Sequence, residues 1–445
     1  MPTRRRRTEP PRVGESDSPS PAIRGFGGVR RWVDLPLSRH STREWPRLLV
    51  SLAASIGLNA GIVSAAENRY LVDVPDYDWH FGCFGTATGN LMGYWDRHGF
   101  PNFYTGPTTG GIAPLHSFGS NSGIRSLWAT RAGMDGRPSN QPGHVDDYYI
   151  DYESTRQDPY LTANRAPHSS DCLGDFIGLS QFRWTDLNGE CAGNIDGYAF
   201  NFFDPSGVRR DNYQPTQADG TAIPDIQSGL REWTRFRGNE ADTFSQLVEF
   251  NPDKTSPAGY TFEQLRAEID AGYPVLLFMQ GYGEFSRALG GYPKVNPIIH
   301  AMLAYGYFID DTGTPYVRYR TSWATGDFEL SPWTAESWTP SGELDLPLRG
   351  VIGYRPRPRI VEFRRSSGGW ILRWHGPSSV LHDEEAQTDT STHWYTVERA
   401  DRLEAAEWRT VAGPVSSLET TLPDCCDGPV FFRLRLSGPA PGTTP

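Results

Sequence analysis

The chain has 445 residues, 37% hydrophobic and 13% aromatic, with 47 Gly and 36 Pro. That length exceeds one typical domain, and the mixture excludes a disordered or fibrous chain in favour of a loop-rich globular one. Residues 1–50 carry 11 Arg or Lys against 5 Asp or Glu, so a formal total of −11 leaves −17 on the remainder, and a body that acidic argues against nucleic acid or an anionic membrane as partner.

The first segment, residues 1–66, reads as a basic leader with a signal-like apolar run. Arg4 to Arg7 and Arg30-Arg31 precede Leu48 to Ala66, a stretch of 19 residues without charge. It ends in small residues, and cleavage after Ala65 or Ala66 predicts an exported, extracytoplasmic protein with no stable membrane insertion. A retained anchor is the alternative, since a run of that length just spans a bilayer.

Residues 67–355 form the main body. Gly82 precedes a predicted helix from Cys83 to Arg97, with Phe84, Ala87, Leu91 and Tyr94 on one stripe and His98-Gly99 as its stop. Thr261 and Gln264 make a capping box ahead of Leu265 and Ile269; Gly272 ends that helix and Pro274 opens the strand Val275 to Met279. Ile298 to Tyr307 reads as a strand and Asp310 to Gly313 as a turn, leading into Tyr316 to Trp323. Helices and antiparallel strands in blocks predict an α+β body. Arg355 to Pro358 reads as a linker. Residues 356–445 then hold six short β-rich runs, as in a small all-β sandwich, and resemble a fibronectin type III-like domain.

Cys83 and His300 are the candidate residues for chemistry. A thiol in the first helical turn faces the positive end of the dipole and unpaired N–H groups, which favour thiolate and can receive an oxyanion. A buried, inert cysteine is the plainer possibility. His300 shares a strand face with Met302 and Ala304, and an imidazole there needs a partner: a backbone carbonyl, or a thiol whose proton it takes and returns.

Gly82-Cys83-Phe84-Gly85-Thr86-Ala87 at a helix start resembles the nucleophile segment of papain-fold cysteine peptidases, in the branch related to bacteriocin-leader (double-glycine) peptidases. The helix from Thr261, the strand after Pro274, and His300-Ala301-Met302-Leu303-Ala304-Tyr305-Gly306-Tyr307 with its hairpin are similar to that branch's second half. Tyr94 to Pro101 looks like its larger exported bacterial members. The resemblance implies a papain-like fold and a thiol peptidase or related amide hydrolase, with Cys83 as nucleophile and His300 as base. The substrate would be a peptide, a protein or a cell-wall amide, with no cofactor. Where the family has an Asn or Asp to orient the histidine this chain has Thr321, with Asp327 as a substitute. Where the family has an oxyanion Gln, Trp79 and His80 are the nearby donors. The alternative is a catalytically impaired peptide- or glycan-binding module.

Cys172 and Cys191 are expected to form a disulfide worth about 3 kcal/mol in the chain-entropy picture. Cys425 and Cys426 are adjacent, which strains a bridge between them. His144, Asp146, Asp147 and Asp151, with Asp171 and Asp175, lack an EF-hand spacing, and His168 with the cysteines lacks a fourth zinc ligand, so no metal site is expected. His98 and His116 read as surface or loop histidines.

Overall fold

Alternating apolar runs outnumber helical stripes once the chain has paired them. The computed structural model describes residues 66–77, 83–103, 112–117, 173–177, 203–216, 219–220, 222, 225–280, 298–323, 328–342, 345–402, 407–423 and 430–437. In order these form β1 (Glu67–Leu71), β2 (Asp76–Tyr77), α1 (Cys83–Arg97), β3 (His116–Ser117), α2 (Leu173–Ile177), β4 (Arg210–Asp211), α3 (Ile226–Phe236), β5 (Ala241–Leu247), α4 (Phe262–Asp270), β6 (Val275–Gln280) and β7 (Ile298–Ile309). There follow β8 (Pro315–Arg320), β9 (Glu329–Pro332), β10 (Leu348–Pro356), β11 (Arg359–Ser366), β12 (Gly369–His375), β13 (Val380–Asp383), β14 (Thr388–Ser391), β15 (Trp394–Ala400), β16 (Arg409–Val415), β17 (Glu419–Leu422) and β18 (Phe431–Ser437).

The expected α+β papain-like fold is corrected by this arrangement. Among the described residues strand outweighs helix by 45% to 17%, in antiparallel sheets. A ten-stranded sheet runs β14-β13-β1-β7-β6-β10-β5-β4, with β8 and β9 branching from β7. The expectation leaned on two well-marked helices, α1 and α4. It missed β1 and β5, and it missed that β13 and β14, from the C-terminal part, extend the main sheet at β1. That junction is antiparallel, with Arg69 opposite Asp383, and the Arg69 guanidinium donates to the Asp383 carboxylate over 2.9 Å. The remaining C-terminal strands make two antiparallel sheets, β11-β12-β17 and β16-β15-β18. They enclose a small core of Leu372, Trp374, Tyr395 and Val397.

α1 is buried from Cys83 to Asp96, all round rather than along one stripe. Small residues make that possible: a Cβ on Gly93 would meet the Tyr77 hydroxyl at 2.3 Å. Polar positions on the helix are used for bonding, with Asn90 accepting the Tyr77 N–H at 3.0 Å and Asp96 the Ala113 N–H at 3.0 Å. Each bond satisfies a backbone group that burial would otherwise strand.

α4 has the expected capping box between Thr261 and Gln264. Its end is locked to the C-terminal part. Gly272 has φ +87°, its carbonyl accepts the Ser379 hydroxyl at 2.7 Å, and a Cβ there would lie 2.2 Å from the Thr392 hydroxyl. Gly272→Ala meets both a left-handed backbone and that contact, so a loss of about 2 kcal/mol or more in denaturant-derived stability is expected. An unchanged denaturation midpoint would refute this packing.

Candidate active site

Helix α1, which begins at Cys83, packs against the strand that carries His300. α1 lies against β7 and β6, and the Phe84 ring packs on Phe278 with centroids 5.7 Å apart. Phe278 is the register partner of Ala301, and Met279 that of His300. The first turn of the helix therefore sits at the His300 end of the strand. Cys83 is the first residue of the helix, is buried, and carries a thiol rather than a disulfide. A 15-residue helix leaves its first N–H groups without intrahelical acceptors at this point.

His300 is almost wholly buried, at 1% exposure. Its Nε2 lies 2.7 Å from the Thr321 carbonyl oxygen. A carbonyl only accepts, so Nε2 carries the hydrogen and a neutral ring keeps its lone pair on Nδ1. Burial pushes the imidazole pKa down to about 4, against a smaller upward pull from the Thr321 carbonyl. The ring is neutral at pH 7, and Nδ1 is the atom that can take a proton.

Three consecutive residues hold this ring. Thr321 supplies its carbonyl. Ser322 adopts φ +71° and donates its hydroxyl to the Ala301 carbonyl at 2.9 Å, which ties the chain back to β7. Trp323 then stacks on His300, with centroids 4.1 Å apart and planes 11° from parallel. Thr321 thus acts through its backbone, while its hydroxyl accepts the Trp323 N–H at 3.3 Å. Sequence reasoning looked for a side-chain acceptor at Thr321 and missed both Ser322 and Trp323. The signal was the polar-polar-Trp run that directly follows β8.

Several expected site residues lie outside the described residues: Trp79, His80, Asp327, the Cys172–Cys191 pair, Cys425 and Cys426, and the leader with its apolar run. The same holds for His144, Asp146, Asp147, Asp151, His168 and Asp171, and for the side chain of Asp175 in α2. Among the described residues no group of three or more His, Cys, Asp or Glu is placed to hold a metal ion, and no helix is long and apolar enough to cross a membrane. His116 is exposed in β3. His98 is not a surface residue: it is 6% exposed, with its ring 4.2 Å from that of Tyr94 and its N–H bonded back to the helix end. The short loop after α1 folds under the C-terminal part, and a surface reading of that loop could not foresee the cover.

No family model, no curated protein and no solved structure matches the chain.

Proposed function

We propose that this protein is an exported cysteine-type amide hydrolase, with Cys83 as nucleophile and His300 as base. The observation that carries the reading is the fixed tautomer of His300. Its Nε2 hydrogen is committed to the Thr321 carbonyl, so Nδ1 is left as a proton acceptor in a ring clamped by Trp323. In the reaction Nδ1 takes the Cys83 thiol proton as sulfur adds to the amide carbonyl carbon. The developing oxyanion is received by the positive N-terminal end of α1. Collapse expels the amine, which takes the proton back from Nδ1, and leaves an acyl-thioester. Water, deprotonated by the same nitrogen, then releases the acid and restores the thiol. A peptide, a protein or a cell-wall amide fits this chemistry. The acidic body favours substrates that are not polyanions.

A second reading is favoured by strand register. Phe278 and Ala301 share one face of the sheet, which puts Met279 and His300 on the other. His300 would then be a structural peg for the Thr321 carbonyl, in a binding module without turnover. Assaying the mature protein against chromogenic amides and cell-wall peptides, with Cys83→Ala alongside, separates the two. Turnover that vanishes in the variant supports the hydrolase. Turnover that persists in Cys83→Ala, or no turnover in either, refutes it.

A further inference from the structure

Away from Cys83 and His300, a concavity of about 260 Å3 opens between β1, the bend after it, β7, β8 and the residue before β9. Its floor is cationic. Arg318, on β8, is 9% exposed, and its guanidinium is held between two rings, 3.5 Å from the Phe328 centroid and 3.8 Å from that of Tyr70. Tyr305 stands 5.8 Å away on a third side. Arg320, two residues on and so on the same strand face, lies 5.1 Å from Tyr305 and donates to the Val74 carbonyl at 3.1 Å.

Arg318 is unlike the other buried arginines. Arg349 pairs with Asp253 at 2.8 Å and Arg231 donates to Thr243 at 2.7 Å. Arg318 has ring contacts but no carboxylate within 4 Å among the described residues, and its Nε is fully buried without an acceptor. Aromatic faces stabilise a cation from above and below but accept none of its in-plane N–H groups. A buried guanidinium in that state is costly unless an acceptor completes it. The acidic groups nearby are engaged elsewhere. Asp73, on the rim, pairs with Arg97 at 3.2 Å, and the Glu384 carboxylate lies 3.5 Å from His382 Nε2.

From this geometry we infer that the pocket binds a small carboxylate carried on an apolar or aromatic body. Two rings cover the guanidinium faces, so its free donors form a planar fork, the arrangement that takes a carboxylate in the same plane. The volume suits a ligand smaller than the usual drug-sized occupant, and the aromatic walls suit its apolar part. The inference is independent of the hydrolase reading: it stands or falls on Arg318.

Calorimetric titration of the full chain at pH 7 with benzoate, acetate and inorganic phosphate tests it. Benzoate should saturate one site per chain, at least ten-fold more tightly than acetate. Arg318→Met should weaken benzoate binding more than ten-fold, and Arg318→Lys, which keeps the charge but loses the fork, several-fold, with circular dichroism confirming that both variants fold. No saturable heat from benzoate in the wild-type chain overturns the inference whether or not the variants fold. Binding confined to phosphate, or folded Arg318→Met binding benzoate as the wild type does, overturns it too.

Discussion

Lowering the pH from 6.5 to 4.5 is expected to remove a large part of the stability of the folded chain. Three histidines are buried and neutral. Burial pushes His300 and His98 down to about 4. It pushes His393 to about 3, with the nearby His98 adding to the fall. His98 and His393 sit together where α1 ends against the C-terminal part. His98 faces the Tyr94 ring and the Ser378 carbonyl, with Asp73 and Arg97 the nearest charges. His393 faces Tyr273 and the Thr392 hydroxyl, and the Nε2 atoms of both histidines are buried without an acceptor. Each folded value lies below the ordinary histidine value of about 6.5. Below that pH the unfolded chain takes up protons that the folded chain refuses, so stability is complete above the window and falls through it. The loss levels off only once the pH drops below the folded values. One proton corresponds to about 1.4 kcal/mol per pH unit, so three groups give a slope of up to about 4 kcal/mol per pH unit. Asp225, which burial raises to about 6, takes up a proton in the folded chain over the same window and offsets about one of the three. The net fall removes a large part of a typical reserve of about 5–15 kcal/mol. Urea melts at half-unit pH steps should show the fall, and His393→Gln should reduce the slope by about one proton. A midpoint constant from pH 6.5 to 4.5 would contradict these burials.

His300→Gln should cut amide hydrolysis by about 10² to 10⁴-fold while leaving the fold in place. The glutamine amide can still donate to the Thr321 carbonyl, so it keeps the structural bond and removes only the base. His300→Ala should cost stability as well, by about 1–3 kcal/mol, because the Thr321 carbonyl is left buried without a donor. The pair of variants therefore separates a catalytic ring from a structural one. Measured on steady-state hydrolysis and denaturant melts, His300→Gln should be folded and nearly inactive. Full activity in folded His300→Gln would rule out Nδ1 as the base.

What could be read from the sequence was local. Helix α1 begins at Cys83 and α4 is capped by Thr261 and Gln264, as their own residues dictate. The hairpin of β7 and β8 turns at Asp310 to Gly313, where the Asp310 carboxylate accepts the Thr312 N–H at 2.9 Å. What was not legible depended on partners far along the chain. β13 reads as an unremarkable Val380 to Asp383, and nothing local says that it pairs with β1 some three hundred residues earlier. The balance of the fold shifted to antiparallel sheet through pairings of that kind. The site divides in the same way. Cys83 and His300 stand out by residue type, whereas the Thr321 carbonyl is a backbone group that every residue carries. Its use depends on the turn at Ser322, whose positive φ is not a property serine announces.

The coupling between one thiol and one ring nitrogen is tested most directly by the pH profile of iodoacetamide alkylation at Cys83. It should be measured by peptide mass in the wild type and in His300→Gln. A thiolate beside the ring raises the imidazole from its low buried value, and the imidazolium in turn favours the thiolate. The wild-type profile should therefore rise well below the ordinary thiol value of about 8.5, and the profile of His300→Gln should shift up by at least about one pH unit. Two superimposable profiles, both rising at the ordinary thiol value, would contradict the account.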